Sequence, residues 1–296
     1  MTRSTFLPRL RSALAAAALC AAGAAAQASV LILGAPALGG GLADVQSKIA
    51  GTGVLSGVVD VFNVHTGTPT LAMLTAYDAV LVFSDTNLKN NPAIGGFANA
   101  VELGNVLADY VDAGGGVVEA GLSNATIPFG GLSGRFVTAN YDVFDIDNRQ
   151  ASCGGLGAIA LPGSPMLRGV DSFDGGSSAL CFKLSPKAGA SVVASWSNGR
   201  PLLGYRDDHN GIVASLNLFP ESSDVRADLW KTSSDGALLM ANTLAFAAGE
   251  LPEPDSLALL GIAALAAGLA ARRRTRQPQH APHAPHAPHA QHARRG

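Results

Sequence analysis

YDAVLVFSD at Tyr77–Asp85 and LADYVDAGGGVV at Leu107–Val118 are the stretches that decide the fold of this chain. The first contains the continuous apolar run AVLVFS, which is typical of a strand buried on both faces. The second contains the end of a helical pattern, glycines that stop the helix, and the start of another apolar strand. This order predicts an α/β domain with a mostly parallel sheet and helices on both faces.

The same alternation extends outward in both directions. Upstream, the pattern predicts strands at Ser29–Gly34 and Val58–Val64 and helices at Leu42–Ala50 and Thr70–Thr75. Downstream, it predicts strands at Ser191–Ser195, Pro201–Arg206 and Gly211–Leu218, and a closing amphipathic helix at Asp228–Ala248. The polar residues 207–210 before Gly211 predict a hairpin turn between the last two strands.

These segments, together with GIVASLNLFP at Gly211–Pro220 and LLMANTLAFAAG at Leu238–Gly249, carry a resemblance to a known superfamily. The pattern is similar to the class I glutamine-amidotransferase-like superfamily. It is closer to the branch without amidotransferase activity, which includes trehalose-utilisation-type domains. The resemblance implies a flavodoxin-like sheet. Its catalytic members place a Cys nucleophile on a sharp strand-to-helix turn, followed later in the chain by a His and a Glu.

The corresponding turn of this chain, Gly121–Asn124, contains no Cys, so amidotransferase activity is not expected. Ser123 is the hydroxyl nucleophile nearest to that turn, although a full nucleophile elbow has Gly on both sides of the nucleophile. His65 follows a predicted strand and is a candidate base at the carboxyl edge of the sheet. Glu119, an acid inside an apolar strand, is either a site carboxylate or a charge paired within the fold.

The segment YDVFDIDN at residues 141–148 supplies the carboxylates Asp142, Asp145 and Asp147. These are candidates for a calcium site or for an acidic surface cluster. The segment lacks the Gly and Glu positions of an EF-hand loop. The early run Gly39–Gly41 has neither nucleotide-binding spacing nor a following Lys, so no cofactor is expected.

Two cysteines, Cys153 and Cys181, remain once Cys20 is assigned to an N-terminal targeting segment. An even number of cysteines in an exported domain predicts a disulfide, with two free thiols as the alternative.

Targeting segments are expected at both ends of the chain. A positive region, an Ala-rich apolar run and Ala26-Gln27-Ala28 predict a signal peptide over residues 1–28, with an uncleaved anchor as the alternative. At the other end, Leu251–Arg274 contains a Pro-Glu-Pro triplet, an uncharged apolar run and an arginine cluster. The residues of this pattern are Pro252, Glu253, Pro254, Arg272, Arg273 and Arg274.

The C-terminal pattern resembles the PEP-CTERM sorting signal of Gram-negative bacteria, which implies recognition by an exosortase. Sixteen apolar residues from Ser256 to Ala271 rise about 24 Å as a helix, which predicts one transmembrane helix in the inner membrane. The arginines favour the cytoplasmic side. The signal is therefore assigned to residues 251–276, and a disordered tail rich in His, Pro and Ala to residues 277–296.

The remaining ectodomain, residues 29–250, contains eleven Lys and Arg against twenty Asp and Glu, a net charge near −9. This acidity argues against nucleic acid as a partner. The sequence predicts an exported, surface-sorted, non-catalytic protein, handled by signal peptidase and exosortase and associated with extracellular polysaccharide or biofilm matrix. The alternatives are a hydrolase of glycans or amides at the carboxyl edge of the sheet, and a calcium-dependent adhesion module.

Overall fold

The structure is a computed structural model that describes residues 28–85, 96–125, 130–145 and 147–250. Within them the strands are β1 Val30–Ala35, β2 Val59–Asn63, β3 Ala79–Ser84, β4 Gly116–Gly121, β5 Phe144–Asp145, β6 Gln150–Ser152, β7 Leu156–Ile159, β8 Leu180–Phe182, β9 Ser185–Pro186, β10 Ser191–Trp196, β11 Pro201–Arg206 and β12 Val213–Leu216. The helices are α1 Gly41–Gly51, α2 Leu71–Leu74, α3 Ala100–Asp112, α4 Arg135–Thr138 and α5 Gly236–Ala247.

One large sheet has the strand order β2-β1-β3-β4-β12-β11-β10-β7. The first five of these strands pair in parallel, and β11, β10 and β7 extend the sheet in antiparallel fashion. The parallel part has the strand order of flavodoxin-like folds, with a switch point between β1 and β3. The predicted α/β class and mostly parallel sheet are confirmed, as is the antiparallel pairing of β11 with β12.

Both faces of the parallel strands are covered, which explains their continuous apolar sequences. Every residue of β1, β3 and β4 is buried. Residues of α1 and α5 pack with one face of these strands, and residues of α3 pack with the other. Parallel strands enclosed in this way lose the in-and-out alternation of a half-exposed sheet.

Helix α3 has a start and a stop signal in its sequence. The side chain of Asn99 accepts a hydrogen bond from the amide of Glu102 at 3.1 Å, and its amide nitrogen donates to the Glu102 carboxylate at 3.1 Å. This reciprocal arrangement satisfies donors that a helix start leaves open. After the helix, Gly114 has a φ of 98°, which favours glycine and turns the chain into β4.

Helix α5 differs from its prediction. The sequence pattern predicts a helix from Asp228, with Gly236 as a weak interior position, whereas the helix begins at Gly236. A Cβ at Gly236 would lie 2.6 Å from the buried ring of Trp230, so glycine is needed where the chain packs on itself. Most of the helix is buried rather than amphipathic, because it lies between the sheet and the turn Pro165–Leu167.

The predicted disulfide between Cys153 and Cys181 is present, with a Cα–Cα distance of 5.9 Å. It joins the region of β6 and β8, two short strands that pair with each other outside the large sheet. The cross-link closes a loop with a sequence separation of 28. On the chain-entropy account, a loop of this size stabilises the folded state by about 3–4 kcal/mol.

The predicted signal peptide, apart from Ala28, and the whole predicted sorting segment from Leu251 onward lie outside the described residues, as does the tail after Arg276. Among the helices that the structure describes, none combines the length and apolar character needed for a membrane crossing.

Candidate functional site

Open parallel sheets bind ligands at the carboxyl ends of their strands, near the switch point. At this edge the chain places Asp85 directly after β3, the Ser123 turn directly after β4, and Glu221 shortly after β12. The N-terminus of α1, which follows β1, lies at the same edge. Asp85, Ser123 and Glu221 are therefore candidates for chemistry at this edge.

Ser123 is 1% exposed and lies in the tight turn Leu122–Asn124. Its hydroxyl donates to the carbonyl of Ala120 at 2.5 Å and lies 3.3 Å from the carbonyl oxygen of Val82. A nucleophilic serine needs an exposed oxygen and a base that accepts its proton. Here the hydroxyl proton is used to bond the backbone of its own turn.

His65 follows β2, and its Nδ1 lies 3.0 Å from the carbonyl oxygen of Gly96. Strands β1 and β3 stand between β2 and β4 in the sheet. With neighbouring strands about 4.8 Å apart, the ends of β2 and β4 are separated by about 14 Å. The structure therefore does not bring His65 to Ser123.

Glu119 lies within β4, in register with Val82 of β3 and Ser215 of β12, and it is 2% exposed. The backbone N–H of Val143 bonds its carboxyl group, while Oε2 has no hydrogen-bond partner among the described residues. Burial and the neighbouring Asp142 raise the pKa of Glu119 well above its ordinary value. This acid belongs to an internal network rather than to the strand-end edge.

The three aspartates considered for calcium each lie against a cation of the chain. Lys187 Nζ is 2.6 Å from Asp142, which is buried, and 3.9 Å from the exposed Asp145. Asp147 pairs with Arg149, whose guanidinium lowers the pKa of Asp147 to about 2. The part of the chain that the structure describes contains no group of three or more His, Cys, Asp or Glu placed to hold a metal ion.

Glu221 is the site residue that sequence reasoning missed. It is fully buried, and its carboxyl group hydrogen-bonds with that of Asp85 and with its own backbone, while no cationic side chain among the described residues bonds it. Burial, followed by the charge of Asp85, raises the pKa of Glu221 well above its ordinary value. The available signal was an acid directly after the apolar segment Gly211–Pro220, matched by Asp85 directly after β3.

The start of α1 is built around this acid. A Cβ at Gly41 would lie 2.9 Å from Pro36 Cβ and 3.2 Å from Glu221 Cγ, so only glycine lets the helix approach so closely. One turn into α1, Asp44 accepts hydrogen bonds from the amide and hydroxyl of Ser222 at 2.8 and 2.9 Å. Asp85 accepts the amide of Ala37, which follows β1. The carboxyl pair of Asp85 and Glu221 is thus held at the switch point.

Comparison with known proteins identifies one sequence motif and several solved structures of similar fold. Residues 250–274 match the PEP-CTERM protein-sorting motif. No curated protein is similar in sequence to this chain. Among solved structures, a ThuA-like protein from Parabacteroides merdae is 12% identical over 77% of this chain and 93% of that chain, with a TM-score of 0.52.

Two further structures are similar at lower scores. A ThuA-like protein from Bacteroides uniformis is 14% identical over 75% of this chain and 91% of that chain, with a TM-score of 0.49. A cytoplasmic protein from Salmonella typhimurium is 19% identical over 74% of this chain and 98% of that chain, with a TM-score of 0.47. At such low sequence identities, structural similarity indicates a shared fold and nothing more. This conclusion rests on the Parabacteroides merdae structure, whose TM-score is 0.52.

The sorting motif marks a protein for export, for membrane anchoring before processing by an exosortase, and for a surface or extracellular destination. The chain therefore combines an α/β domain, similar in fold to a ThuA-like protein, with a PEP-CTERM protein-sorting motif at residues 250–274.

Proposed function

We propose that this exported, surface-sorted protein is non-catalytic and that it associates with extracellular polysaccharide. The claim that the protein is non-catalytic rests on the burial and hydrogen bonding of the Ser123 hydroxyl. At the turn where the resemblance places a nucleophile, the hydroxyl is buried and donates to the backbone of the same turn. No imidazole among the described residues bonds that hydroxyl, and His65 follows a strand about 14 Å away.

The polysaccharide part is supported by destination and charge. The sorting motif gives the protein a surface or extracellular destination, where extracellular polysaccharide is an available partner. The ectodomain carries a net charge near −9, which disfavours nucleic acid and anionic lipid as partners and leaves neutral or cationic glycans. Export and sorting do not depend on this part of the proposal.

The test is sedimentation of the purified full chain with the host's own extracellular polysaccharide, with released sugars and ammonia assayed in the same tube. We expect the polysaccharide to retain the protein without turnover. We expect Ser123→Ala to bind equally well, because the hydroxyl faces its own turn. Release of product by the wild type and loss of that release in Ser123→Ala would show that the protein is an enzyme.

One observation favours the alternative function of a hydrolase at the carboxyl edge. Asp85 and Glu221 are two neighbouring carboxyl groups with different surroundings, and burial raises the pKa of Glu221. Such a pair can divide the roles of acid and base. For this alternative, the turnover assay above is repeated with Glu221→Gln. Turnover that survives in Ser123→Ala but disappears in Glu221→Gln would support a carboxyl-dependent hydrolase.

A further inference from the structure

Glu221 presents a buried carboxyl group that no cationic side chain of the described residues neutralises. Its side chain has no exposed surface, and its carboxyl group hydrogen-bonds with that of Asp85 and with its own backbone. No Lys, Arg or His among the described residues bonds either carboxyl oxygen. Buried carboxyl groups are normally bonded to several donors, because removing them from water is costly. A ligand group that donates N–H or O–H hydrogen bonds at this position would therefore gain more binding free energy than it would at an exposed carboxylate.

The charged groups that act on Glu221 are acids rather than cations. The acidic groups that act on it are Asp85, at the end of β3, and Asp44, in the first turn of α1. Asp44 is occupied by the amide and hydroxyl of Ser222. Asp85 is partly exposed, so the carboxyl pair reaches solvent on the side of Asp85. This position is the switch point, where open sheets bind ligands.

The chemistry of the pair selects among ligand classes. A metal ion would need further ligands, and the described residues contain no group of three that could hold one. A neutral hydroxyl supplies one donor and no charge. A primary ammonium supplies three donors and a positive charge, which two adjacent carboxylates and an acidic domain both favour. The N-terminus of α1, close to Glu221 through Gly41, favours the ionised carboxylate that such a ligand requires.

We propose that the pair of Glu221 and Asp85 binds the primary ammonium group of an amino-sugar residue. The ammonium site is argued from the residues of the pair alone, whereas the choice of a sugar rests on the proposed association with extracellular polysaccharide. Binding exchanges a proton for a cation. Because burial raises the pKa of Glu221, the incoming ammonium displaces the proton of that carboxyl group to solvent where it is still bound.

The probes are glucosamine, glucose and N-acetylglucosamine, titrated calorimetrically into the full chain. These sugars differ at one position, which carries an ammonium, a hydroxyl or an acetylated amine. We expect glucosamine to bind at least tenfold more tightly than either neutral sugar. We also expect its affinity to rise with pH as long as the amine stays charged, because burial raises the pKa of Glu221 and the bound ammonium requires the ionised carboxylate.

Glu221→Gln keeps the size and shape of the side chain and removes its charge, so we expect it to abolish the preference for glucosamine. Asp85→Asn should weaken binding at least tenfold. Glu119→Gln makes the same chemical change at a buried carboxyl outside the site, and we expect it to leave binding unchanged. Equal affinity for the three sugars, or full glucosamine binding by Glu221→Gln with its fold confirmed by circular dichroism, would overturn the inference.

The outcomes separate this inference from the proposed function. If the polysaccharide retains the protein but glucosamine is not preferred, the ammonium site is wrong and the polysaccharide association stands. If glucosamine binds through Glu221 but the host polysaccharide does not retain the protein, the site stands and the proposed partner is wrong.

Discussion

Glu119 and Glu221 show how much the surroundings of a single residue change its chemistry. Both are glutamates in or next to apolar strands, and both are buried. Glu119 has a backbone donor from Val143 and faces the Asp142–Lys187 pair. Glu221 hydrogen-bonds with a second acid, the partly exposed Asp85, and no cationic side chain among the described residues bonds it. The first therefore belongs to the internal network, and the second is the better candidate for a site.

These two residues predict a specific dependence of stability on pH. Burial raises the pKa of Glu119 and Glu221 in the folded protein above the unfolded value of about 4.3. Both states are protonated below that value, so stability is unaffected there. As pH rises from about 4.3 through the raised pKa, the unfolded chain ionises first, and stability falls by up to about 1.4 kcal/mol per pH unit for each group.

Urea unfolding between pH 4 and pH 9, with the disulfide intact, measures this dependence. We expect Glu221→Gln to match the wild type near pH 4 and to be more stable than the wild type near pH 8. The serine variant Ser123→Ala removes a neutral group, and its stability curve should run parallel to that of the wild type. A Glu221→Gln curve that also runs parallel to the wild type would contradict the assignment.

At the scale of elements, Gly104 in α3 shows a tertiary contact that overrides helix propensity. The helical pattern alone predicts that Gly→Ala in a helix interior stabilises by about 1 kcal/mol. In the fold, a Cβ at Gly104 would lie 1.7 Å from the backbone carbonyl oxygen of Ser133. Backbone cannot move aside as a flexible side chain can, so α3 and the segment before α4 require glycine at this contact.

We therefore expect Gly104→Ala to destabilise the protein by about 1–3 kcal/mol through overpacking. The matched change is Gly51→Ala at the end of α1, where a Cβ would meet nothing within 4 Å. Helix propensity acts alone there, so Gly51→Ala should be neutral or stabilising by up to about 1 kcal/mol. Thermal and urea unfolding of both variants measure the difference, and equal effects would contradict the close contact at Ser133.

At the scale of the whole molecule, the chain joins a folded domain to a separate sorting signal. The motif at residues 250–274 begins at Glu250, the last described residue, which follows α5. Because signal and fold occupy different stretches of sequence, changes in one should leave the other intact. This separation makes the sorting step testable without disturbing the domain.

Replacing Pro252, Glu253 and Pro254 together by alanine should block processing, because the triplet is the part of the motif that distinguishes it from an ordinary apolar segment with basic residues. We expect the unprocessed chain to accumulate in the membrane fraction of the host, as seen by fractionation and immunoblotting. Truncation after Arg276 removes only the tail beyond the motif, and we expect normal processing. Normal release of the triple variant would show that these residues are dispensable.

Sequence alone determined the class of the fold, the disulfide partners and the sorting motif. Strands such as β3 and helices such as α3 carry their own periodicity and caps, and two cysteines in an exported domain leave one intramolecular pairing. Information of this kind is local, so it can be obtained without coordinates.

Tertiary structure alone decided what the polar residues do. The resemblance drew attention to Ser123, but strand order separates it from His65, and its hydroxyl is committed to the turn. Glu221 and Asp85 are 136 positions apart in sequence and become neighbours only because β12 and β3 end at the same edge of the sheet. A sequence pattern shows which residues end strands, whereas strand order and burial decide which of them meet and which are deprived of water.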